Sequence, residues 1–573
     1  MNLKNIVPAL DWLPKYEKKQ FNGDLMAGLT VGVMLIPQGM AYAMIAGLPP
    51  IYGLYASTVP LIIYALLGTS RQLAVGPVAM VSLLTAAGIG VLAEGGTEVY
   101  IGLAITLAFI VGIIQFLLGV FKLGFLVNFL SHPVISGFTS AAALIIGLSQ
   151  LKHLLGVDIA RSHHVHEILI QAFEKAGDIN WITLAIGVVG ILLIMAVKKW
   201  RPSIPGPLLA VVFGILVVWG FGLTTNGVQI VGSVPQGLPG VQIPSFNADM
   251  LSELLPIALA ISLVSFMESI AVAKAIQAKH KNYKVIPNQE LIALGAANIG
   301  GAFFQSYPVT GGFSRTAVND QAGAKTGMAA IFSAALIILT LLFLTPLFYY
   351  LPKAILASVI MVAVFGLIDL KEAKFLWRSN RTDFIMLIVT FIGTLALGIE
   401  QGIGIGVVLS LAVIIFRTTR PHMAELGQVP GTGLYRNVKR FDDLQVHPET
   451  LVVRPDAQLY FANINYFRDR LTEMIGSREG LKLIVINAES ISNVDSTAIH
   501  ALDDIVKELN SKNINVYFSG VIGPVRDAMA RGGLMASIGE DRFFMSVQKA
   551  IDNYFKEDEK SDYKEYTLQT NTD

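Results

Sequence analysis

Two ionisable residues stand where the sequence is otherwise free of charge, and they define the chemistry to look for. Arg315 follows an uncharged run from Leu291 to Ser314. An arginine at bilayer depth costs about 2.5–3.5 kcal/mol on insertion scales, so a partner has to offset it. Gly311-Gly312 just before it permits an unusual backbone turn, and Ser314 offers a hydroxyl and a possible helix cap. A helix starting here would present free N–H groups and a partial positive charge, as would a second one starting at Pro77. Together they would cradle an anion. The plainer reading is that Arg315 reaches the membrane surface or pairs with Asp320. Glu268 is the second candidate: Leu254 to Met267 is uncharged before it and Lys274 is the next charge after it. An unpaired carboxyl in a low dielectric can exchange a proton near neutral pH. With Glu268 ionised, its charge and that of Arg315 cancel. With Glu268 protonated, the site is net positive, so proton and anion would bind together. A static pair of Glu268 with Arg315 or Lys274 is the alternative. Gln38 and Tyr42 lie one helical turn apart and share a face. Gln38 can donate to a substrate oxygen and Tyr42 can form a wall, or both can serve ordinary helix packing. Val78 would be a small apolar wall beside the cradle.

The elements that must position these residues cross a membrane. Of 573 residues, 53% are apolar and 14% charged, against about 25% charged in soluble domains. Charge-free runs recur from Leu25 to Ser70, Gln72 to Ala93, Val99 to Phe121, Leu123 to Leu151, Ile179 to Val197, Gly206 to Ala248, Thr326 to Pro352 and Phe384 to Ile399. About 20 apolar residues cross the hydrocarbon core, so charge-free runs recurring over roughly 400 residues read as many spans. We read fourteen, beginning near Leu25, Tyr52, Pro77, Val99, Pro133, Asn180, Gly206, Leu251, Asn288, Phe313, Lys325, Ala354, Thr382 and Gly402. The third and tenth are short and interrupted by glycine or proline. The expected organisation is a cytoplasmic segment 1–20, a membrane domain 21–420, a linker 421–435, a soluble domain 436–556 and a disordered tail 557–573.

With the N-terminus inside, Arg71, Lys122, Lys198, Lys199, Arg201, Lys274, Lys279, Lys281, Lys284, Lys325, Lys371, Lys374, Arg378, Arg381, Arg417 and Arg420 fall on the cytoplasmic side, as the positive-inside rule requires. Both termini and the soluble domain are then cytoplasmic, in a cell membrane. Pro37-Gln38-Gly39 in the first span and Met267-Glu268-Ser269 in the eighth occupy like places. Each is followed about 40 residues later by a broken span. Interrupted segments at matching positions of two inverted halves point to a transporter's binding site.

After Leu451, short strands (Leu451–Val453, Leu459–Phe461, Leu481–Ile486, Ile514–Phe518) alternate with helices (Ile464–Ile475, Thr497–Leu509, Val525–Ala530), an α/β arrangement. Asp495 and Ser496 sit at a strand-to-helix junction. Helix capping is the simple role for them, and phosphorylation or partner docking the sharper one. There is no cysteine, nucleophile–base set, phosphate loop or metal motif, so an enzyme is not expected. His163, His164 and His166 read as a solvated loop. The net charge of +1 and the lack of a basic face argue against nucleic acid.

The runs LIPQGMAYAMIAGLPPIYGLYAS (35–57), QLAVGPVAM (72–80), NQELIALGAANIGGAFFQSYPVTGGFSRTAVNDQAGAKTG (288–327) and VDSTAIHAL (494–502) resemble the sulfate permease (SulP) family of anion transporters over nearly the whole chain. The resemblance implies an all-α polytopic membrane domain with fourteen spans in a seven-plus-seven inverted repeat. It further implies core and gate subdomains, an elevator-like cycle, a homodimer and a C-terminal cytoplasmic α/β STAS domain. It places the anion site on Gln38, Tyr42, Val78, Ser314 and Arg315, and matches Glu268 to the carboxylate of proton-coupled members. The run FMESIAVAKAIQAK (266–279) looks more like plant sulfate/proton symporters than motor or channel members. Tyr42 and Val78 stand where animal relatives often have phenylalanines. Ser496 is placed like the phosphorylated serine of anti-sigma-factor antagonists.

The leading expectation is therefore sulfate:proton symport without any organic cofactor or metal, the coupling ion being H+. Its rivals are bicarbonate/sodium symport (with Ser265 and Ser269 as extra oxygen ligands), dicarboxylate symport, anion exchange, a passive anion channel, and an anion sensor acting through a cytoplasmic partner of the STAS domain.

Overall fold

The computed structural model describes residues 7–125, 131–159, 165–200, 205–244, 248–280, 283–366 and 368–557. Lys4, Arg161, His163, His164, Arg201, Lys281 and the expected tail from 558 onward lie outside the described residues. The chain divides into two compact units, Met1–Ser410 and Leu411–Asp573.

Helices occupy each of the fourteen expected positions. They are α1 (Lys18–Ile45), α2 (Val59–Leu67, preceded by Ile51–Tyr55), α3 (Ala79–Gly90), α4 (Glu98–Val120), α5 (His132–Ser149), α6 (Trp181–Trp200), α7 (Gly206–Phe221), α8 (Ala248–His280), α9 (Pro287–Phe303), α10 (Phe313–Gln321), α11 (Met328–Leu339), α12 (Lys353–Phe365), α13 (Arg381–Leu397) and α14 (Ile399–Thr419). Among the described residues, seven helical segments are long and apolar enough to cross a bilayer. Those formed by α2, α3, α7 and the end of α14 are apolar but shorter.

The first unit is packed in two ways. Outward faces stay apolar: Trp181, Leu192, Trp219 and Ile392 are exposed, as side chains against lipid should be. Inward, helices meet through small residues, since lipid supplies no hydrophobic drive for their association. Gly39 of α1 and Gly53 are in backbone contact, and a Cβ on Gly53 would fall 1.9 Å from the Gly39 carbonyl oxygen. That contact fixes α1 beside the second span at the level of Gln38.

Two buried carboxylates staple distant loops to helices. Asp24 of α1 accepts from the Lys325 N–H (2.6 Å), the Thr326 N–H (3.0 Å) and the Thr326 hydroxyl (2.6 Å). Glu290 of α9 accepts from the Tyr64 hydroxyl (2.5 Å), the Thr69 N–H and hydroxyl (2.7 and 2.5 Å) and the Ser70 N–H (3.1 Å). Neither is exposed to any extent. Each carboxylate is satisfied by several hydrogen bonds, the condition under which a buried charge is tolerated.

The second unit holds a six-stranded sheet of β3 (Met423–Gln428), β4 (Tyr435–Asn437), β5 (Thr450–Pro455), β6 (Leu483–Asn487), β7 (Asn515–Ser519) and β8 (Phe543–Phe544), in the order β4-β3-β5-β6-β7-β8. The strands from β5 to β8 run parallel, and β3 and β4 add an antiparallel edge. Helices α15 (Ile464–Gly476), α16 (Ser496–Ser511) and α17 (Gly523–Arg531) cover one face, and α18 (Val547–Glu557) the other. Two expectations are corrected here. Residues 421–435 are no mere linker, because β3 lies within them and pairs with β5. Leu459–Phe461 is no strand: only Leu459 makes a bridge, to Val494, and Tyr460 accepts the Asn463 and Ile464 N–H groups to start α15.

Candidate functional site

The site is organised by a two-residue ladder. Strand β1 (Val75–Gly76) precedes α3 and strand β2 (Thr310–Gly311) precedes α10. They pair antiparallel, Val75 opposite Gly311 and Gly76 opposite Thr310. Because the chains run in opposite directions, the two short helices leave the ladder from opposite ends, with both N-termini next to it. Gly76 has φ +148°, open to glycine and strained for an L side chain. Pro77 follows with no N–H to satisfy. Val78 then forms the extended N-cap of α3 (φ −133°, ψ 151°), one residue outside the helix. Gly312 is the N-cap of α10 (φ −92°, ψ 130°).

Around the ladder, side chains hold the strands. The Gly312 N–H donates to the Ala74 carbonyl (3.0 Å), and the Ala74 N–H donates to the Thr316 hydroxyl (3.0 Å). The Gly311 N–H donates to Ser269 Oγ (2.8 Å), which also shares a 2.6 Å hydrogen bond with the Thr310 hydroxyl. The Asn319 amide donates to the Gln72 carbonyl (2.8 Å), and the Gln72 amide to the Ala324 carbonyl (3.0 Å). Beneath β2, Asn298 receives the Val309 N–H (2.8 Å) and donates to Gln115 (3.1 Å), which donates to Ser265 Oγ (2.8 Å). These polar residues, unremarkable in the sequence, satisfy a stretch of non-helical backbone at membrane depth. Such backbone is tolerated only when enclosed in protein or lining a cavity.

Arg315 sits in the first turn of α10 and is 1% exposed. Its Nη1 donates to the Pro77 carbonyl at 2.6 Å, tying α10 to the start of α3. Its Nε and Nη2 are enclosed with no hydrogen-bond partner. Arg315 therefore does not reach the membrane surface, and Asp320 is engaged by Lys279 (3.5 Å) and by His280. Among the described residues no carboxylate forms an ion pair with Arg315, so the static Glu268–Arg315 pair is absent. Glu268, near the middle of α8, is half-buried, and its Oε2 is enclosed without a partner. Gln38 is buried with Oε1 likewise unpartnered. Tyr42, Glu268 and Tyr307 are each within electrostatic reach of Arg315.

The structure thus brings Tyr42 and Glu268 within reach of Arg315 and Val78 next to the carbonyl that Arg315 holds, while Gln38 lies one turn before Tyr42 on α1. Ser314 precedes Arg315 and is exposed. It is the second residue of α10 and makes no cap, a role the sequence had left open and which falls to the Gly312 backbone. Sequence reasoning missed Tyr307. Its ring is fully buried, and its hydroxyl shares a 3.1 Å hydrogen bond with Ser82 of α3. The only signal for it was its place in the run ahead of Thr310. Asp495 and Ser496 belong to the second unit. Asp495 caps α16, accepting from the Ala498 N–H (2.8 Å), and also accepts from the Phe461 N–H (2.9 Å). Ser496 is the exposed first residue of that helix.

What can such an arrangement hold? Two unpartnered guanidinium donors beside two helix N-termini favour a negatively charged oxygen. The comparisons with known proteins agree with a transporter of anions. The chain matches the Sulfate permease family over residues 21–390 and the STAS domain over 443–550. It is 40% identical over 568 residues to Sulfate transporter 4.1, chloroplastic, of Arabidopsis thaliana, covering 96% of this chain and 82% of that one. It is 34% identical over 578 residues to Sulfate transporter 1.3 of the same plant, covering 96% and 88%. Among solved structures it is similar to the murine Solute Carrier 26 family member A9 anion transporter in the inward-facing state, with TM-score 0.88, 28% identity and coverage of 96% and 94%. It shares its fold with the transmembrane domain of the cyanobacterial bicarbonate transporter BicA, with TM-score 0.59, 22% identity and coverage of 69% and 98%. The relatives are transporters and not enzymes, and this chain, a multi-pass membrane protein with a STAS domain, belongs to the sulfate permease family.

Proposed function

We propose that this protein carries sulfate into the cell together with protons, using Arg315, Gln38, Ser314 and the N-termini of α3 and α10 to bind the oxyanion and Glu268 to carry the proton. Tyr42 and Val78 are its walls. The observation that carries this reading is the buried Arg315, whose Nε and Nη2 have no protein partner. An unmatched cation in a low dielectric is costly, and a bound anion supplies what the protein withholds. Glu268 lies within reach of Arg315 without pairing to it. Its ionisation therefore changes the net charge of the locality from positive to zero, which is the coupling. The relatives' names, all sulfate transporters, support the substrate.

The sodium alternative is disfavoured by Ser265 and Ser269. Ser265 Oγ donates to the Ile261 carbonyl and accepts from Gln115, while Ser269 Oγ is engaged by Gly311 and Thr310. Their oxygens serve the fold, and a cation ligand would compete with it. We further propose fourteen spans in two inverted halves, an elevator-like movement, a homodimer, cytoplasmic termini and residence in the cell membrane. Ser496, exposed at a helix N-terminus, is a candidate regulatory or docking residue.

The test is uptake of labelled sulfate by purified protein in liposomes. Uptake should rise with an acidic exterior and be competed less by bicarbonate, succinate or chloride than by sulfate. Glu268→Gln should transport with no dependence on external pH. If that variant keeps the wild-type pH profile, the coupling role is wrong.

A further inference from the structure

The last helix of the membrane domain ends in a second basic locality, remote in sequence from the ladder. Within the second unit, a cavity of about 310 Å³ is lined by Arg417, Arg420, His422, Asp456, Gln458 and Tyr460, with Phe416 as an apolar wall. Its sole carboxylate is already engaged: Asp456 accepts from Arg454 Nε (2.6 Å) and pairs with His422 Nδ1 (2.7 Å). The Arg420 guanidinium lies 4.8 Å from the Phe416 ring centroid and has no ion pair among the described residues. The cavity floor is fixed by Asn463, whose amide donates to the Thr418 carbonyl (3.3 Å) and the Gln458 carbonyl (2.9 Å). One turn earlier, α14 exposes Ile415 (61%) and Phe416 (57%). Its lipid-facing apolar surface therefore stops at the arginines, the level where headgroups lie.

We propose that this cavity binds a phosphate group, presented by an anionic phospholipid whose chains run along α14. Guanidinium groups match phosphate in planar, two-point geometry, and the volume reaches the size of a small-molecule pocket. A free phosphate compound is the other source of the same chemistry. The binding rests on α14 lying in the bilayer and not on the proposed sulfate site.

The experiment uses the full-length protein extracted from membranes containing phosphatidylcholine and phosphatidylglycerol, with retained lipid counted by native mass spectrometry. Arg417→Gln/Arg420→Gln is compared with wild type and with Arg378→Gln/Arg381→Gln, which removes as much charge elsewhere. The first variant should retain about tenfold less phosphatidylglycerol, a change equivalent to about 1.4 kcal/mol, and the second should match wild type. A parallel arm adds inorganic phosphate or glycerol 3-phosphate to detergent-solubilised protein and follows the melting temperature. Protection that depends on Arg417 and Arg420, with equal lipid retention, would support the phosphate site and assign the free source. Equal losses in both variants would reveal general headgroup attraction and overturn the proposal, as would no loss in either arm. Should the double variant elute as aggregate, Arg420→Gln alone, at an exposed side chain, gives the same comparison.

Discussion

Gly312→Ala separates the architecture of the site from its charge. The Gly312 backbone (φ −92°, ψ 130°) suits alanine, so the substitution costs the fold little. An added Cβ would lie 2.8 Å from Arg315 Nη2, 2.9 Å from Cζ and 3.3 Å from Nε. Ordinary contact begins near 3.4 Å, so the guanidinium must retreat by 3.4 − 2.8, about 0.6 Å. The neighbour that must yield is the end of a flexible side chain, and it yields away from the ladder. That movement stretches the 2.6 Å hydrogen bond to the Pro77 carbonyl and withdraws the two unpartnered donors from the place where an oxyanion would sit. Hydrogen bonds to charged groups are worth about 1.5–3 kcal/mol, and each 1.36 kcal/mol is a factor of ten. Uptake kcat/KM for sulfate in liposomes should fall about 10- to 100-fold, while the melting temperature stays near that of wild type. Gly90→Ala is the control: it lies at the far end of α3, with nothing within 4 Å of its added Cβ, and should transport normally. Wild-type uptake kinetics for Gly312→Ala would refute the claim that the position of Arg315 governs anion binding.

Two further outcomes concern the soluble domain. Asp495→Ala removes the acceptor of two backbone N–H groups and should lower the urea-unfolding free energy by about 0.5–2 kcal/mol, with Asp495→Asn retaining part of it. Burial holds the His447 imidazole below its ordinary range, Lys482 adds to that and Glu449 opposes it. The unfolded chain therefore takes up this proton at higher pH than the folded one. Stability from this group is complete above about pH 6.5 and is lost as the pH falls from there toward the folded value. The drop in melting temperature on acidification should be smaller in His447→Gln.

How much of this was legible? The placement of the helices was, because a bilayer imposes one rule on every span: charge-free runs of sufficient length. Arg315 and Glu268 were legible for the same reason, as violations of that rule. The ladder between Val75–Gly76 and Thr310–Gly311 was not, since two residues carry no strand periodicity and their partners lie over 200 positions apart. Nor were Asp24 and Glu290: in the sequence they only bound the charge-free runs that begin at Leu25 and Leu291, yet each is buried and tethers a loop some 220 to 300 residues away. In the soluble domain, β3 was mistaken for linker because MAELGQ alternates weakly. Leu459–Phe461 was mistaken for a strand because three apolar residues in a row suit either a strand or the start of a helix.

Around the ladder, scaffold and candidate site differ in how their polar atoms are satisfied. Thr316, Ser269, Thr310, Gln72 and Asn298 find hydrogen-bond partners in the same few turns of chain. Evolution of a merely stable fold would treat Arg315 in the same way, by placing a carboxylate against it. Here Glu268, the carboxylate within electrostatic reach of Arg315, is instead unpaired, with its own oxygen unpartnered. On the function proposed above, a cation that is enclosed, tied by one nitrogen to a carbonyl and open at the others leaves room for a removable counterion. A permanent carboxylate at that point would occupy the proposed anion site and block the proposed cycle of binding and release.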